Sequence, residues 1–281
     1  SRLDTLSLDG VSPSLLLNVA QLRQFYDQVD SISALLLESP DLLTTILGLE
    51  EEKSYLVLAQ NNDEIRPSGG FIGTYGWFVV RNGRVIDFDY RASTVSSPNP
   101  PRDSFLETFT IPDWWISYSQ PIYAAWDGSW HADFAETADL AASYYNAGNN
   151  PQSPVDGVIA LDINAFEMLV GALGGVTVPS YNVTVTQENF RDVVYDIRAD
   201  EREHKQFLAA MYREIFNAWQ SVEQDQTEAI LGVLLEALQG KHLMISFADD
   251  DLNQLIGLLG WAGTQQAPEG DYIMVVDANL G

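Results

Sequence analysis

The stretch that decides the fold begins Tyr55-Leu56-Val57-Leu58-Ala59. A polar loop from Gln60 to Ser68 follows, then Gly69-Gly70-Phe71-Ile72-Gly73-Thr74-Tyr75-Gly76-Trp77-Phe78-Val79-Val80. The first run is short and apolar at every position, the pattern of a strand buried on both faces. The second reads as a longer strand with glycines inside it. Asn82-Gly83 then predicts a two-residue hairpin, because both residues accept positive φ. The chain returns through Arg84-Val85-Ile86-Asp87-Phe88-Asp89-Tyr90.

Upstream, Leu15, Val19, Leu22, Tyr26, Val29, Ile32 and Leu36 recur at helical spacing and predict one long amphipathic helix over 12–38. Ser39-Pro40 reads as a cap and first helical residue, opening a short helix that ends near Gly48. Downstream, 92–131 is rich in Pro, Ser and Trp and has no clear period. Ordered loops of that length usually carry function. The spacing then predicts a helix over 133–145, a strand over 155–161 and a helix over 164–173 stopped by Gly174-Gly175. A strand at 176–178 and three helices near 187–197, 200–222 and 226–238 follow. A strand at 243–247, a helix over 250–259 and a last strand at 272–277 complete the chain. Alternating strands and helices predict a three-layer α/β/α sandwich with a mixed sheet. A helical segment over 1–50 precedes this α/β domain over 51–281. The end at Gly281, directly after an apolar strand, reads as a domain lacking its C-terminal part.

Composition narrows the function. Fourteen Lys and Arg face forty Asp and Glu, a net charge of −26 among 281 residues. So acidic a chain repels phosphate backbones, which argues against nucleic-acid partners. It repels anionic lipid surfaces too, and attracts cations. The absence of Cys removes disulfides, zinc–thiolate sites, iron–sulfur clusters and thiol catalysis. No run approaches the roughly 18 apolar residues that cross a bilayer. A chain that opens on Ser1 fits removal of a signal or anchor segment, and equally a trimmed piece.

The densest polar cluster is Asn61-Asn62-Asp63-Glu64-Ile65-Arg66-Pro67-Ser68-Gly69-Gly70. It lies past the C-terminal end of a buried strand, where open α/β sheets place ligands. The glycines allow close backbone approach, and Arg66 can grip an anion. The bland reading is a turn in which Asn and Asp satisfy local backbone groups. A second cluster is Arg198-Ala199-Asp200-Glu201-Arg202-Glu203-His204-Lys205-Gln206. Arg198, Arg202 and Lys205 on one helical face would collect a pyrophosphate. The bland reading is a solvated helix start with Glu201 and Lys205 paired. Asp127, His131 and Asp133 offer metal ligands, against a helix cap at Asp133 and packed tryptophans. Asp87 and Asp89 share a strand face and either bind Mg²⁺ or meet water. Trp114, Trp115, Tyr118, Tyr123, Trp126 and Trp130 make either a sugar platform or loop packing. Asn182-Val183-Thr184 fits the glycosylation pattern.

The run from Tyr55 to Gly73 resembles the signature of an extracellular family known as domain of unknown function 4012. Trp126-Asp-Gly-Ser-Trp-His-Ala-Asp-Phe134 and Val155-Asp-Gly-Val-Ile-Ala-Leu-Asp162 resemble its next two blocks. A more distant resemblance is to LytR-CpsA-Psr proteins, α/β envelope enzymes that move glycopolymers from polyprenyl-pyrophosphate carriers to the wall. Phe166-Glu-Met-Leu-Val-Gly-Ala-Leu-Gly-Gly-Val176 is similar to their helix-to-strand block. Arg202-Glu-His-Lys205-Gln206 is similar to their Arg-x-x-Arg-Gln helix, with Lys205 for the second Arg. Arg198 and Arg91 resemble two further arginines of theirs, and Arg66 falls near another.

That resemblance implies a catalytic set of Arg66, Arg91 and Arg198. Asn61, Asn62, Asp63, Glu64, Gly69, Gly70, Arg202, Lys205 and Gln206 would bind the ligand. Asn61 and Gly69 stand where those enzymes keep metal-binding aspartates, and Asp200 replaces an arginine. Asp63 and Asp89 are the substitutes for seating Mg²⁺ or Ca²⁺. The expected partner is a polyprenyl-phosphate glycan or cell-wall polymer, outside the cell or at its surface. The rival reading is a non-catalytic structural or adhesive module that self-assembles into a layer or filament.

Overall fold

The computed structural model describes residues 12–38, 40–94, 97–100, 125–199, 203–265, 270–271 and 273–279. Helices α1 (Pro13–Glu38) and α2 (Pro40–Ile46) lead into a strand meander of β1 (Lys53–Asn61), β2 (Phe71–Arg81) and β3 (Arg84–Ala92). At the β2–β3 turn Asn82 and Gly83 take φ of 51° and 70°, so both residues sit in the left-handed region a tight hairpin needs. Their amides donate to the carbonyls of Gly48 and Leu47, which ties the end of α2 to the sheet.

After a 3₁₀ turn at Ala125–Trp130 come α3 (Phe134–Ala147), β4 (Gly157–Asp162) and α4 (Ile163–Ala172). A small hairpin of β5 (Val176–Val178) and β6 (Val183–Val185) precedes α5 (Phe190–Ala199), α6 (His204–Gln220) and α7 (Gln224–Gln239). β7 (Leu243–Phe247) and α8 (Asp250–Leu258) follow. Aspartates cap α3, α4 and α8: Asp133, Asp162 and Asp249 accept from the amides of Ala135, Ala165 and Leu252.

The main sheet has the order β3-β2-β1-β4-β7. β1 and β4 run parallel, from Tyr55 opposite Gly157 to Gln60 opposite Asp162, and the other pairs are antiparallel. Helices cover both faces. Val57, Ala59 and Leu161 meet Phe166, Phe207, Met211 and Tyr212 on the side of α4, α6 and α7. Leu56, Leu58, Val158 and Ala160 meet Phe134, Ala138 and Tyr145 on the side of α3. A strand dry on both faces needs apolar residues at every position, which accounts for the unbroken run in β1.

Three local expectations are corrected. Residues 273–279 form no strand, and Ile273 and Val275 are exposed. An apolar run becomes a strand only where a ladder receives it, and this one touches the body through Asn279, whose amide donates to Ile65 O at 3.0 Å. Tyr272 lies outside the described residues. No single helix carries Arg198 and Lys205. α5 ends at Ala199, α6 begins at His204, and Glu203 between them has a non-helical φ of −52° and ψ of 67°. Third, Asn182 turns the β5–β6 hairpin at a left-handed φ of 51°, and β6 was not expected there. Arg202, Asp200, Glu201, Trp114, Trp115, Tyr118 and Tyr123 lie outside the described residues.

Candidate functional site

The loop 61–70 leaves the carboxyl end of β1 beside the carboxyl end of β4, the parallel step of the sheet. It braces itself. Asn61 Oδ1 accepts from the Asp63 amide at 3.0 Å, Asn61 O from the Glu64 amide, and Glu64 O from the Phe71 amide. The buried Gln60 side chain donates to Ser68 O at 2.6 Å. Gly70 turns at φ 138°, where a side chain would run into the Asn61 backbone.

Scarce cations gather around this loop. Arg66 is only 8% exposed, with its guanidinium 4.9 Å from the Trp130 ring and 5.6 Å from the Phe71 ring. Lys205 stands 5.6 Å from the same Phe71 ring and 5.1 Å from Trp126. Rings and cations thus alternate as Trp130, Arg66, Phe71, Lys205, Trp126, each ring face attracting the charge beside it. Burial pushes the Lys205 amine below the ordinary lysine value, against the pull of Glu64 and Asp127. Its ammonium donates to Ser93 O at 3.0 Å, and Arg66 donates to Ile65 O and Asn279 O. Arg198 reaches across from α5 to Glu64 at 2.9 Å.

Sequence reasoning missed a third arginine here. Arg191 on α5 binds Asp63, Glu167 (2.9 Å) and the Asn164 side chain (2.6 Å). Tyr195, one turn on, donates to Asp63 as well. Its hydroxyl is pushed up to about 12, by burial first and then by the Asp63 carboxylate. The i, i+4 spacing of Arg191 and Tyr195 was the available signal.

Arg91 lies apart from Arg66 and Arg198. It stacks 4.7 Å from Trp77 and pairs with Asp89 at 3.3 Å. Arg213 of α6, a further residue not anticipated, pairs with the same Asp89 at 2.6 Å and donates to Tyr90 O at 2.9 Å. Asp89, Tyr90, Arg91 and Arg213, with Thr94, Ser97 and Gln206, line a groove of about 360 Å³. The cations therefore follow an arc. Arg198 begins it, Arg66 and Lys205 share Phe71, and Lys205 holds Ser93 beside the Ala92 and Thr94 walls of the Arg91 groove.

Of the two carboxylates expected to seat a cation, Asp63 holds Arg191 and Tyr195, and Asp89 holds Arg91 and Arg213. A divalent ion at either would have to displace a guanidinium, so these donor sets do not fit one. Among the described residues, no group of three or more His, Asp or Glu is arranged around a metal position.

Inward of the arc lies an apolar cavity of about 230 Å³ between the sheet and helices α4, α6 and α7. Val57, Ile159, Phe166, Tyr212, Ile215 and Leu234 are among its walls. Trp219, 39% exposed, carries it toward the surface. Tyr90 lines both this cavity and the Arg91 groove.

These features define a three-layer α/β domain with a greasy chamber and a cationic rim along the carboxyl ends of β1 and β3. The chain belongs to the family described as protein of unknown function (DUF4012), matched over residues 50–197. Among solved structures it is similar to protein gbs0355 of Streptococcus agalactiae, at 11% identity over 78% of this chain and 75% of that one, TM-score 0.43. Lin1025 of Listeria innocua is similar at 15% identity over 75% and 79%, TM-score 0.36. The transcriptional regulator yvhJ of Bacillus subtilis is similar at 11% identity over 74% and 76%, TM-score 0.33. No curated protein matches.

Proposed function

We propose that this protein binds a polyprenyl-phosphate-linked glycan at the cell surface, with the lipid tail in the apolar cavity and the phosphate on the cationic arc. The observation that carries the reading is the shared wall at Tyr90: an apolar chamber of about 230 Å³ on one side, Arg91, Arg213 and Gln206 on the other. Engineered apolar cavities of about 150 Å³ stay dry and take up hydrocarbon guests, so this one is large enough for a tail segment. Two guanidiniums sharing one carboxylate leave net positive charge for an oxyanion in a chain of net charge −26.

Calorimetric titration with farnesyl pyrophosphate, with and without Mg²⁺, tests it. Farnesyl pyrophosphate is expected to bind, inorganic pyrophosphate and farnesol more weakly. Absence of heat from all three overturns the proposal.

A second reading, a non-catalytic module that self-assembles on the surface, draws support from the engagement of Arg66, Arg191 and Arg198 by groups of the chain itself. It predicts Ca²⁺-dependent self-association in sedimentation and no response to the lipid.

A further inference from the structure

Helix α1 carries an apolar stripe that the rest of the body does not use. Leu15, Val19, Leu22, Tyr26, Val29 and Leu36 succeed one another in steps of four and three, and only Ser33 interrupts them. A mean step of 3.5 residues is the period of a coiled-coil seam, in which two helices keep one stripe in contact along their length. At 1.5 Å per residue the stripe from Leu15 to Leu36 is about 32 Å long.

The stripe is uncovered. Leu15, Leu22 and Tyr26 are 51%, 44% and 47% exposed. The α1 residues that border the cleft shared with Leu258 and Trp261 are Ala20, Arg23, Asp27 and Ile32, and none of them belongs to the stripe. A lone exposed leucine is ordinary, but a continuous apolar stripe of this length marks a contact surface.

The charges say what covers it. Arg23, Asp27, Asp30 and Glu38 are the charged residues of α1, and all four lie off the stripe. Arg23 directly follows Leu22 and Asp30 directly follows Val29, one heptad apart, so both border the stripe on the same flank. Let two such helices run antiparallel with Tyr26 of one against Val29 of the other. Leu22 then meets Ser33, and Arg23 of each copy comes beside Asp30 of the other. That arrangement is self-complementary, as a two-fold contact requires. Slipping by one heptad sets Arg23 against Arg23. A parallel pair sets Arg23 and Asp30 beside uncharged positions and gains no ion pair. A lipid surface is a poor match, because interfacial helices are rich in Lys and Arg and α1 has one basic residue against three acidic ones.

We propose that two copies of this chain pair through antiparallel α1 stripes, in the register that joins Arg23 to Asp30. The pairing needs neither lipid nor a bridging cation, so it is independent of both readings above.

The test is sedimentation equilibrium of the full chain in EDTA and without lipid, where the parent is expected to dimerise. Leu22→Glu together with Tyr26→Glu is expected to weaken the dimer roughly 100-fold, because it buries unpaired charge in the seam. Both side chains are exposed, so thermal unfolding of the body should not change. Arg23→Asp is expected to raise the dissociation constant about tenfold, and Asp30→Arg added to it to restore the parent value. The chain has no Cys, so introduced thiols meet no background. Chains carrying Leu22→Cys and Ser33→Cys are expected to cross-link when mixed and oxidised, and neither to cross-link with itself. A parent that stays monomeric, whether or not α1 adsorbs to phosphatidylcholine vesicles, overturns the proposal. So does a dimer indifferent to the paired glutamates, failure of the double charge reversal to rescue, or cross-linking of either Cys chain with its own kind.

Discussion

Beneath α3 the sheet meets Ala138 and Ala141 beside Phe134 and Tyr145; beneath α4, α6 and α7 it meets aromatics and branched chains. On the α3 side Ala138 and Ala141 let the helix approach closely. A Cβ on Gly263 would come within 3.0 Å of Phe134 Cβ. On the other side Phe166 and Tyr212 stack at 3.8 Å, yet a cavity of about 230 Å³ lies among their neighbours. Side chains that span more distance also leave more gaps when they do not interlock. Both faces are apolar and both are buried. Among the described residues the difference lies in whether the volumes close: a cavity of about 230 Å³ lies on the face of α4, α6 and α7.

The comparison can be broken by truncation. Phe134→Ala on the close-packed face is expected to cost about 3–5 kcal/mol in urea unfolding. Leu234→Ala, which lines the void, is expected to cost about 2 kcal/mol, because part of its surface already lacks partner atoms. Equal losses would show that the void does not persist in solution.

Farnesyl pyrophosphate at a hundredfold excess over its Kd is expected to stabilise the parent by about 2.7 kcal/mol. Leu234→Trp should abolish that gain, whereas a second bulky change at the exposed Leu258 should not. Filling without ligand sharpens the same point. Leu234→Phe is expected to raise stability by about 0.5–1 kcal/mol, as cavity-filling changes commonly do.

Arg198→Gln is expected to cost about 1 kcal/mol or less, and less still in high salt, because its pair with Glu64 is half exposed. The smallest effect is a pH effect at His204. Burial first, then the positive charge of Arg198, holds its imidazole below the usual 6.5, while Glu64 pulls the other way. The unfolded chain therefore binds a proton first as pH falls through 6.5. Stability declines there and levels off once the native ring is also charged. His204→Gln should flatten that part of the curve.

Much of the fold was legible. Period and turn chemistry located β1, β2, the Asn82-Gly83 hairpin and the cap at Asp133, because those signals are local. The cavity was not, since Phe166, Leu234 and Ile159 look the same in a sequence whether they fill a core or frame a hollow. The tail at 273–279 misled for a related reason: an apolar run states a preference, and a strand needs a neighbour. The site was legible in part. Loop 61–70 was visible as a polar cluster at a strand end. Arg191 on Asp63 and Arg213 on Asp89 were not, because each contact joins positions that only the folded backbone brings near. Arg198 and Lys205 stand on different helices, α5 ending at Ala199 and α6 beginning at His204, where the sequence reading had offered them one helical face.

The alternation of indole, guanidinium, phenyl, ammonium and indole around Phe71 has an optical consequence. Trp126 and Trp130 each have a positive charge held about 5 Å from the ring. A guest anion that drew Arg66 or Lys205 off its ring would alter the field at a fluorophore already in place. Under the proposed ligand reading the two indoles would report occupancy, and exchanging either tryptophan for phenylalanine would tell which cation had moved.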